Sequence, residues 1–389
     1  METFVLHIAE DGDKFKLIWT ICGADGAWTP SPYMVDAGPL QQAANEVRVQ
    51  LRRIAFLQPC CEKAEFASVL QKLALRGQEL FFQLMPSLDP TTGEPSEIQQ
   101  KIEQIIRSSH KFDLNVTLDT DRLFVPWGFV FSDSTALLPA LPSISLADMK
   151  GFWLAQFRIS IAYGGSRSLP RERKASFCRV LALHEDMFVR AQRSLGEECL
   201  ARLNALLEGE PCPSTDWESF EVSWTQVRDN KDTVLYVFGH SDGQRIQLSD
   251  SKSDPKYELP SSSLIRFRKR ERGSASIFML NGCRTVAPTG AAVDDPASTV
   301  EPVSANFLKE TRQPGYYGFI GTEAQVSNTF ACRYGTEFLW RLCKEGKSVG
   351  EAFDELLLSD ELFPQNVLYT CYADRKFRFN SAPSVEERP

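Results

Sequence analysis

Two stretches of this 389-residue chain end in the same way. Tyr236-Val-Phe-Gly-His240-Ser-Asp-Gly243 and Phe278-Met-Leu-Asn-Gly-Cys283-Arg-Thr285 each run large hydrophobes into glycine and then present one reactive side chain. A thiol beside an imidazole is the equipment of nucleophilic acyl transfer. The thiolate attacks a carbonyl carbon, and the imidazole takes the thiol proton and returns it to the leaving amine. Glycine before each residue gives the sharp strand-to-loop turn its backbone freedom and lets a scissile bond approach. The backbone N–H groups of Cys283 and of the stretch beginning at Ser241 are the natural candidates for an oxyanion hole.

The competing residues are weaker. The chain holds ten cysteines and four histidines. The remaining nine cysteines follow no disulfide framework, and Cys178, Cys332 and Cys371 sit in apolar segments, so free core thiols are expected. His7 and His184 fall in expected strands and read as structural, and His110 falls in a polar turn. Asp242 is placed either to orient His240 or to cap the turn that follows it. With no CxxC and no HxxxH pair, a metal site has no sequence support, and the dyad chemistry calls for no cofactor.

Such residues need a sheet whose strands end side by side. In the second half, Arg179–Leu183, Thr233–Phe238, Ser276–Leu280, Tyr316–Ile320 and Asn366–Tyr372 are short apolar runs, with helices expected near 192–208, 328–345 and 348–358. Consecutive rather than alternating apolar residues indicate strands buried on both faces of a mainly parallel sheet flanked by helices. In an open sheet of this kind, functional groups gather beyond the carboxyl ends of the strands.

The first half opens with alternation on both sides of Asp11-Gly12, the mark of a hairpin over residues 4–19. Two amphipathic helices broken near Pro59 follow, then a helix over 96–108 and a strand over 112–118, with Pro126-Trp127 closing the half. The polar, charged stretch 164–175 reads as a connection. The expected organisation is an α/β region over 1–165, an α/β domain over 175–380 and a flexible tail over 381–389.

The order and spacing are those of caspases, which carry the histidine about 50 residues before a Cys-Arg pair; here His240 precedes Cys283 by 43 positions. More specifically, the second half resembles the CHAT domain, a caspase-like peptidase group related to separase. The resemblance rests on Gly239-His-Ser-Asp-Gly243, Leu280-Asn-Gly-Cys-Arg284, Gly318-Phe-Ile-Gly-Thr-Glu323, Phe338-Leu-Trp-Arg-Leu342, Gly346-Lys-Ser-Val-Gly-Glu-Ala-Phe353 and Leu368-Tyr-Thr-Cys-Tyr-Ala-Asp374. Gly77–Leu84 and Pro126–Phe129 look like the catalytically silent half that precedes such domains.

The resemblance implies a caspase fold, an endopeptidase with the dyad His240 and Cys283, and a protein substrate. It points to a partner encoded nearby in a bacterial antiviral defence or cell-death system, gasdermin-like pore formers being one class, and to control by an activating partner protein. The family often has Asp where this chain has Asn328, a position that in separase helps to bind a basic side chain. Asn328 and Glu323 are therefore the candidates for the pocket before the scissile bond, and a neutral Leu, Met or Asn is expected there, or a basic residue if Glu323 lines the pocket. Asp294 and Asp295 lie in the loop after the nucleophile, which either borders the substrate cleft or is solvated surface. A CHAT-like scaffold that binds a peptide in the same cleft without cutting it is the alternative.

Charge and hydropathy exclude other classes. A formal net charge of −8 disfavours nucleic acid and anionic lipid. The basic run Arg266–Arg272 reads as a solvated helix end or loop. No apolar run approaches the ~20 residues that span a bilayer and the N-terminus has no signal-peptide pattern, so a cytoplasmic protein is expected.

Overall fold

The structure, a computed structural model, describes residues 2–24, 26–56, 63–85, 96–106, 111–120, 123–132, 149, 151–163, 176–208, 211–227, 231–242, 245–250, 254–267, 276–283 and 318–379. The chain divides into two compact units, Met1–Gly164 and Gly165–Pro389. The expected connection over 164–175 and the tail over 381–389 lie outside the described residues. Among the described residues no helix is long and apolar enough to cross a membrane.

In the first unit the expected hairpin forms from β1 (Thr3–Asp11) and β2 (Lys14–Gly23), antiparallel about the turn at Gly12, where φ is 65°. The short strands β3 (Gly26–Trp28) and β4 (Tyr33–Asp36) both pair with β2. Helices α1 (Ala37–Phe56), α2 (Lys63–Leu84) and α3 (Glu97–Ile106) follow. Strand β5 (Phe112–Asp119) then joins β1 in parallel.

The unit does not close at Trp127. A short turn over Trp127–Phe129 leads, further along, into the four-residue helix α4 (Trp153–Gln156), and β6 (Phe157–Tyr163) adds a further strand parallel to β5. Trp127 stacks on Trp153, and Trp19 and Phe81 meet Trp153 edge-on, so aromatic packing carries this core.

The second unit is a mainly parallel sheet with helices, as its apolar runs require. Strand β7 (Ser176–Leu183) leads into α5 (Glu185–Gln192), α6 (Glu197–Leu207) and α7 (Trp217–Val227), and the chain returns as β8 (Lys231–Phe238). A small antiparallel ribbon follows, made of β9 (His240–Ser241), β10 (Arg245–Gln247) and β11 (Glu258–Pro260). The sheet resumes with β12 (Ser276–Asn281) and β13 (Gly318–Thr322), then α8 (Asn328–Cys343), α9 (Val349–Leu357) and β14 (Tyr369–Ala373).

The strand order is β14-β13-β12-β8-β7, parallel throughout except at β14. Every residue of β12 and β13 is buried, and β8 is buried from Asp232 to Phe238. That explains why these strands show runs of hydrophobes instead of alternation.

Local signals set the helix starts. Ser327 caps α8 by accepting the Phe330 N–H at 3.3 Å. Ser348 and Glu351 exchange hydrogen bonds as a capping box on α9, at 3.2 and 2.7 Å. Helix α8 approaches the sheet through Gly335, where a Cβ would stand 2.4 Å from the Tyr236 hydroxyl and 2.6 Å from the Asn281 amide nitrogen.

Gly335→Ala is therefore expected to destabilise the protein by about 2 kcal/mol from overpacking. This runs against the ~1 kcal/mol that replacing a helical glycine ordinarily gains. Urea unfolding reads the difference, and a raised midpoint would mean that the helix does not sit this close.

Candidate active site

The carboxyl ends of β7, β8 and β12 form one edge of the second sheet, and each delivers a residue with acid–base or nucleophilic chemistry. Phe238 of β8 and Asn281 of β12 are register partners, and the Gly239 N–H donates to the Asn281 carbonyl at 3.4 Å. His240 and Cys283 each lie two residues beyond that pair. Gly239 has no room for a side chain, since a Cβ there would meet the Gln247 carbonyl at 2.6 Å. Cys283 is half-buried, and its Sγ lies 3.8 Å from the carbonyl of Val326, in the segment between β13 and α8.

Behind the thiol is a buried polar clamp. The Asn281 amide nitrogen donates to the Tyr236 hydroxyl at 2.7 Å and to the Ala331 carbonyl at 2.6 Å, and its carbonyl oxygen accepts from the Tyr369 hydroxyl at 2.5 Å. Burial raises both tyrosines well above the ordinary phenol range, so they stay protonated. The Tyr369 ring stacks on Tyr334 of α8 at 3.7 Å. Thr322 donates to the Gly282 carbonyl at 2.5 Å, so β8, β13, β14 and α8 all hold the two residues before Cys283.

His240 has a neighbour that sequence reasoning assigned elsewhere. His184 stands one residue past the end of β7, not inside it, and its ring packs edge-on to His240 with centroids 5.1 Å apart. Its side chain is fully buried (0% exposed), whereas His240 is 47% exposed. His184 also caps α5, its Nδ1 accepting the Met187 N–H at 3.4 Å, which assigns the proton of the neutral ring to Nε2. Burial first, and then His240, hold its pKa below the usual imidazole range, with Asp250 pulling the other way.

The acid at this site is Asp250. Its Oδ1 is 3.3 Å from His184 Nε2 and 3.5 Å from His240 Nε2, and its Oδ2 is 3.3 Å from an Arg190 nitrogen. Asp242, the acid closest to His240 in sequence, instead takes the Arg245 N–H at 2.9 Å and the Arg245 Nε at 3.0 Å, the turn-capping role. Nothing in the polar stretch Ser249-Asp-Ser-Lys-Ser-Asp254 marked Asp250. The ribbon β9–β10–β11 brings it back.

His184, His240 and Asp250 place one donor atom each within 4.8 Å of one another, the grouping among the described residues with metal-ligand types. A metal needs the lone pair of Nε2, which the capping role of His184 gives to a proton. The set therefore fits an acid shared by two imidazoles better than a metal centre.

The remaining candidates separate. Ser241 lies in β9 opposite Ile246, next to His240. Asn328 is half-buried in the first turn of α8, two residues beyond Val326. Glu323 does not face solvent: it is 1% exposed and accepts from the Thr370 and Tyr372 hydroxyls of β14, each at 3.2 Å. Asp294 and Asp295 lie outside the described residues.

The other thiols behave as core residues. Cys178, Cys199, Cys332 and Cys371 are buried, and desolvation pushes Cys199 up to about 11 and Cys332 and Cys371 up to about 12. None of the three supplies a thiolate near neutrality.

No protein-family model matches the chain, and no curated protein matches it. Among solved structures it is similar to two structures of the separase–securin complex of Saccharomyces cerevisiae. Identity is 9% and 10%, and TM-scores are 0.42 and 0.46. Each likeness covers 95% of this chain, which spans about 30% of the length of the matched chain.

Proposed function

We propose that the chain is a caspase-like cysteine endopeptidase with Cys283 as nucleophile and His240 as general base. The observation that carries this reading is register. On adjacent parallel strands, Phe238 and Asn281 are partners, and each is followed by glycine and then by the reactive residue.

The thiol proton passes to His240, and the thiolate sulfur bonds to the scissile carbonyl carbon. The backbone N–H groups of Cys283 and Ser241 hold the oxyanion. Collapse expels the amine, which takes the proton from His240. Water then cleaves the thioester and restores the thiol, and no step calls on a metal or organic cofactor.

The CHAT resemblance adds a protein substrate, encoded as a partner in a bacterial defence or cell-death system such as a gasdermin-like pore former. It also adds an activating protein and a silent role for the first unit. The segment that runs beside Cys283 through Val326 supports placing Asn328 on the wall of the pocket before the scissile bond. Glu323 already accepts two hydroxyl hydrogen bonds, which favours a neutral Leu, Met or Asn before the cut over a basic residue.

Incubation with candidate partner proteins, comparing wild type with Cys283→Ala by mass spectrometry, tests the activity. Cleavage-site profiling on a denatured proteome tests the pocket. Equal cleavage by Cys283→Ala would remove the peptidase reading and leave the peptide-binding scaffold. A strict preference for Asp would overturn the pocket assignment, and an Arg preference lost in Glu323→Gln would move recognition to that carboxylate.

A further inference from the structure

We infer that Asp250 is a positioning residue of this site, orienting His240 through its Nε2 and stabilising the imidazolium that forms when Cys283 gives up its proton, with His184 and Arg190 holding the carboxylate in place. The inference rests on the dyad reading. It adds a third member that lies ten positions beyond His240 in sequence and outside either reactive motif.

The geometry distinguishes the two rings that share the acid. His184 and His240 both turn Nε2 toward Asp250 Oδ1, at 3.3 and 3.5 Å. His184 Nε2 is buried, with Asp250 Oδ1 3.3 Å away. Charging that ring would cost the full desolvation of a buried cation. His240 is 47% exposed and escapes most of that cost.

A proton entering this pair therefore resides on His240, and Asp250 is its counter-charge. Asp186 of α5 acts on His184 by charge, and Arg190 of α5 ties its Nε to the Asp186 carbonyl at 3.0 Å and a terminal nitrogen to Asp250 Oδ2. With Oδ2 anchored, Oδ1 is the oxygen left for the imidazoles.

With Nε2 turned to the acid, Nδ1 of His240 is the atom that receives the thiol proton. The S–H bond of Cys283 breaks, its electron pair stays on sulfur, and the Nδ1 lone pair forms the new N–H bond. The carboxylate keeps its charge and takes no proton, and its attraction favours the thiolate–imidazolium pair over the neutral pair. Distances of 3.3–3.5 Å suit a resting site that tightens when substrate arrives.

The test needs no substrate. The alkylation rate of Cys283 by iodoacetamide, followed against pH by peptide mass spectrometry on the full chain, reports the thiolate directly. Wild type should show a thiolate plateau beginning below the ordinary thiol range, and His240→Ala should move the rise up toward about 8.5. Asp250→Asn, which keeps the shape and removes the charge, should move it up by about one unit. Asp242→Asn, an equally exposed acid engaged with Arg245, should leave it in place.

Exposed Cys212 in the same digest controls for reagent, and buried Cys332 and Cys371 react only if a variant unfolds. An Asp250→Asn profile that superimposes on wild type while His240→Ala shifts would overturn this inference and leave the dyad standing. Superposition of the His240→Ala profile on wild type would sink the dyad and the inference together.

Discussion

Cys283→Ala and His240→Ala should each reduce cleavage of a confirmed substrate by on the order of 10⁴-fold or more, and the double variant should be no slower than either single one. The thiol without its base is a poor nucleophile near neutrality, and the base without its thiol has no proton to move. The two side chains therefore contribute one step between them, and their losses do not add.

Neither substitution should unfold the protein. Cys283 is half-buried and outside the Asn281 clamp, and His240 is about half exposed. Single-turnover rates with each variant, beside thermal unfolding of the same samples, check both halves of the expectation. Multiplicative losses in the double variant would mean that the residues act independently and that the dyad is wrong.

The largest stability effect should come from Asn281→Ala. The substitution removes the side chain that satisfies the Tyr236 hydroxyl, the Tyr369 hydroxyl and the Ala331 carbonyl, all in the core. Leaving a buried polar group without its partner costs about 1–3 kcal/mol. Because the three share one site and relax together, a total of about 3–5 kcal/mol is expected, which is a large part of the stability of an ordinary domain.

Urea unfolding should show a lower midpoint with an unchanged slope. Cys283 should also lose its distinct reactivity well below the midpoint, because the loop that carries it loses its anchor first. An unchanged midpoint would show that water or a rearranged tyrosine satisfies the site equally well.

The parts of the site that were legible in the sequence are those written as contiguous patterns. Strands β8 and β12 announce themselves because both faces are buried, so their hydrophobes run together and their glycine ends stand out. Asp250 and the placement of His184 were not legible, for a physical reason. Asp250 comes from a polar stretch with no periodicity and reaches His240 only because the β9–β10 ribbon folds back. His184 follows the apolar run Val180-Leu-Ala-Leu183 without interruption, and only the helix start it caps separates it from the strand.

Two elements were legible and went unread: β6 alternates through Phe157, Ile159 and Ile161, and α7 buries Trp217, Phe220, Trp224 and Val227 at helical spacing. Asn366–Leu368, expected as strand, forms a short helical turn before β14. The acid adjacent in sequence, Asp242, belonged to a local turn. This is the usual outcome when an Asp can reach a backbone N–H three residues on.

The Asn281 clamp also fixes when the protein can first work. Tyr369 follows Asn281 by 88 positions, and Ala331 by 50. A nascent chain that has just exposed its thiol thus has Tyr236 as partner for Asn281 but neither α8 nor β14 to complete the support. At ribosomal elongation rates the missing tyrosine arrives roughly 4–18 s later. An incomplete translation product that carries both reactive residues would accordingly lack the full support of the strand end before Cys283.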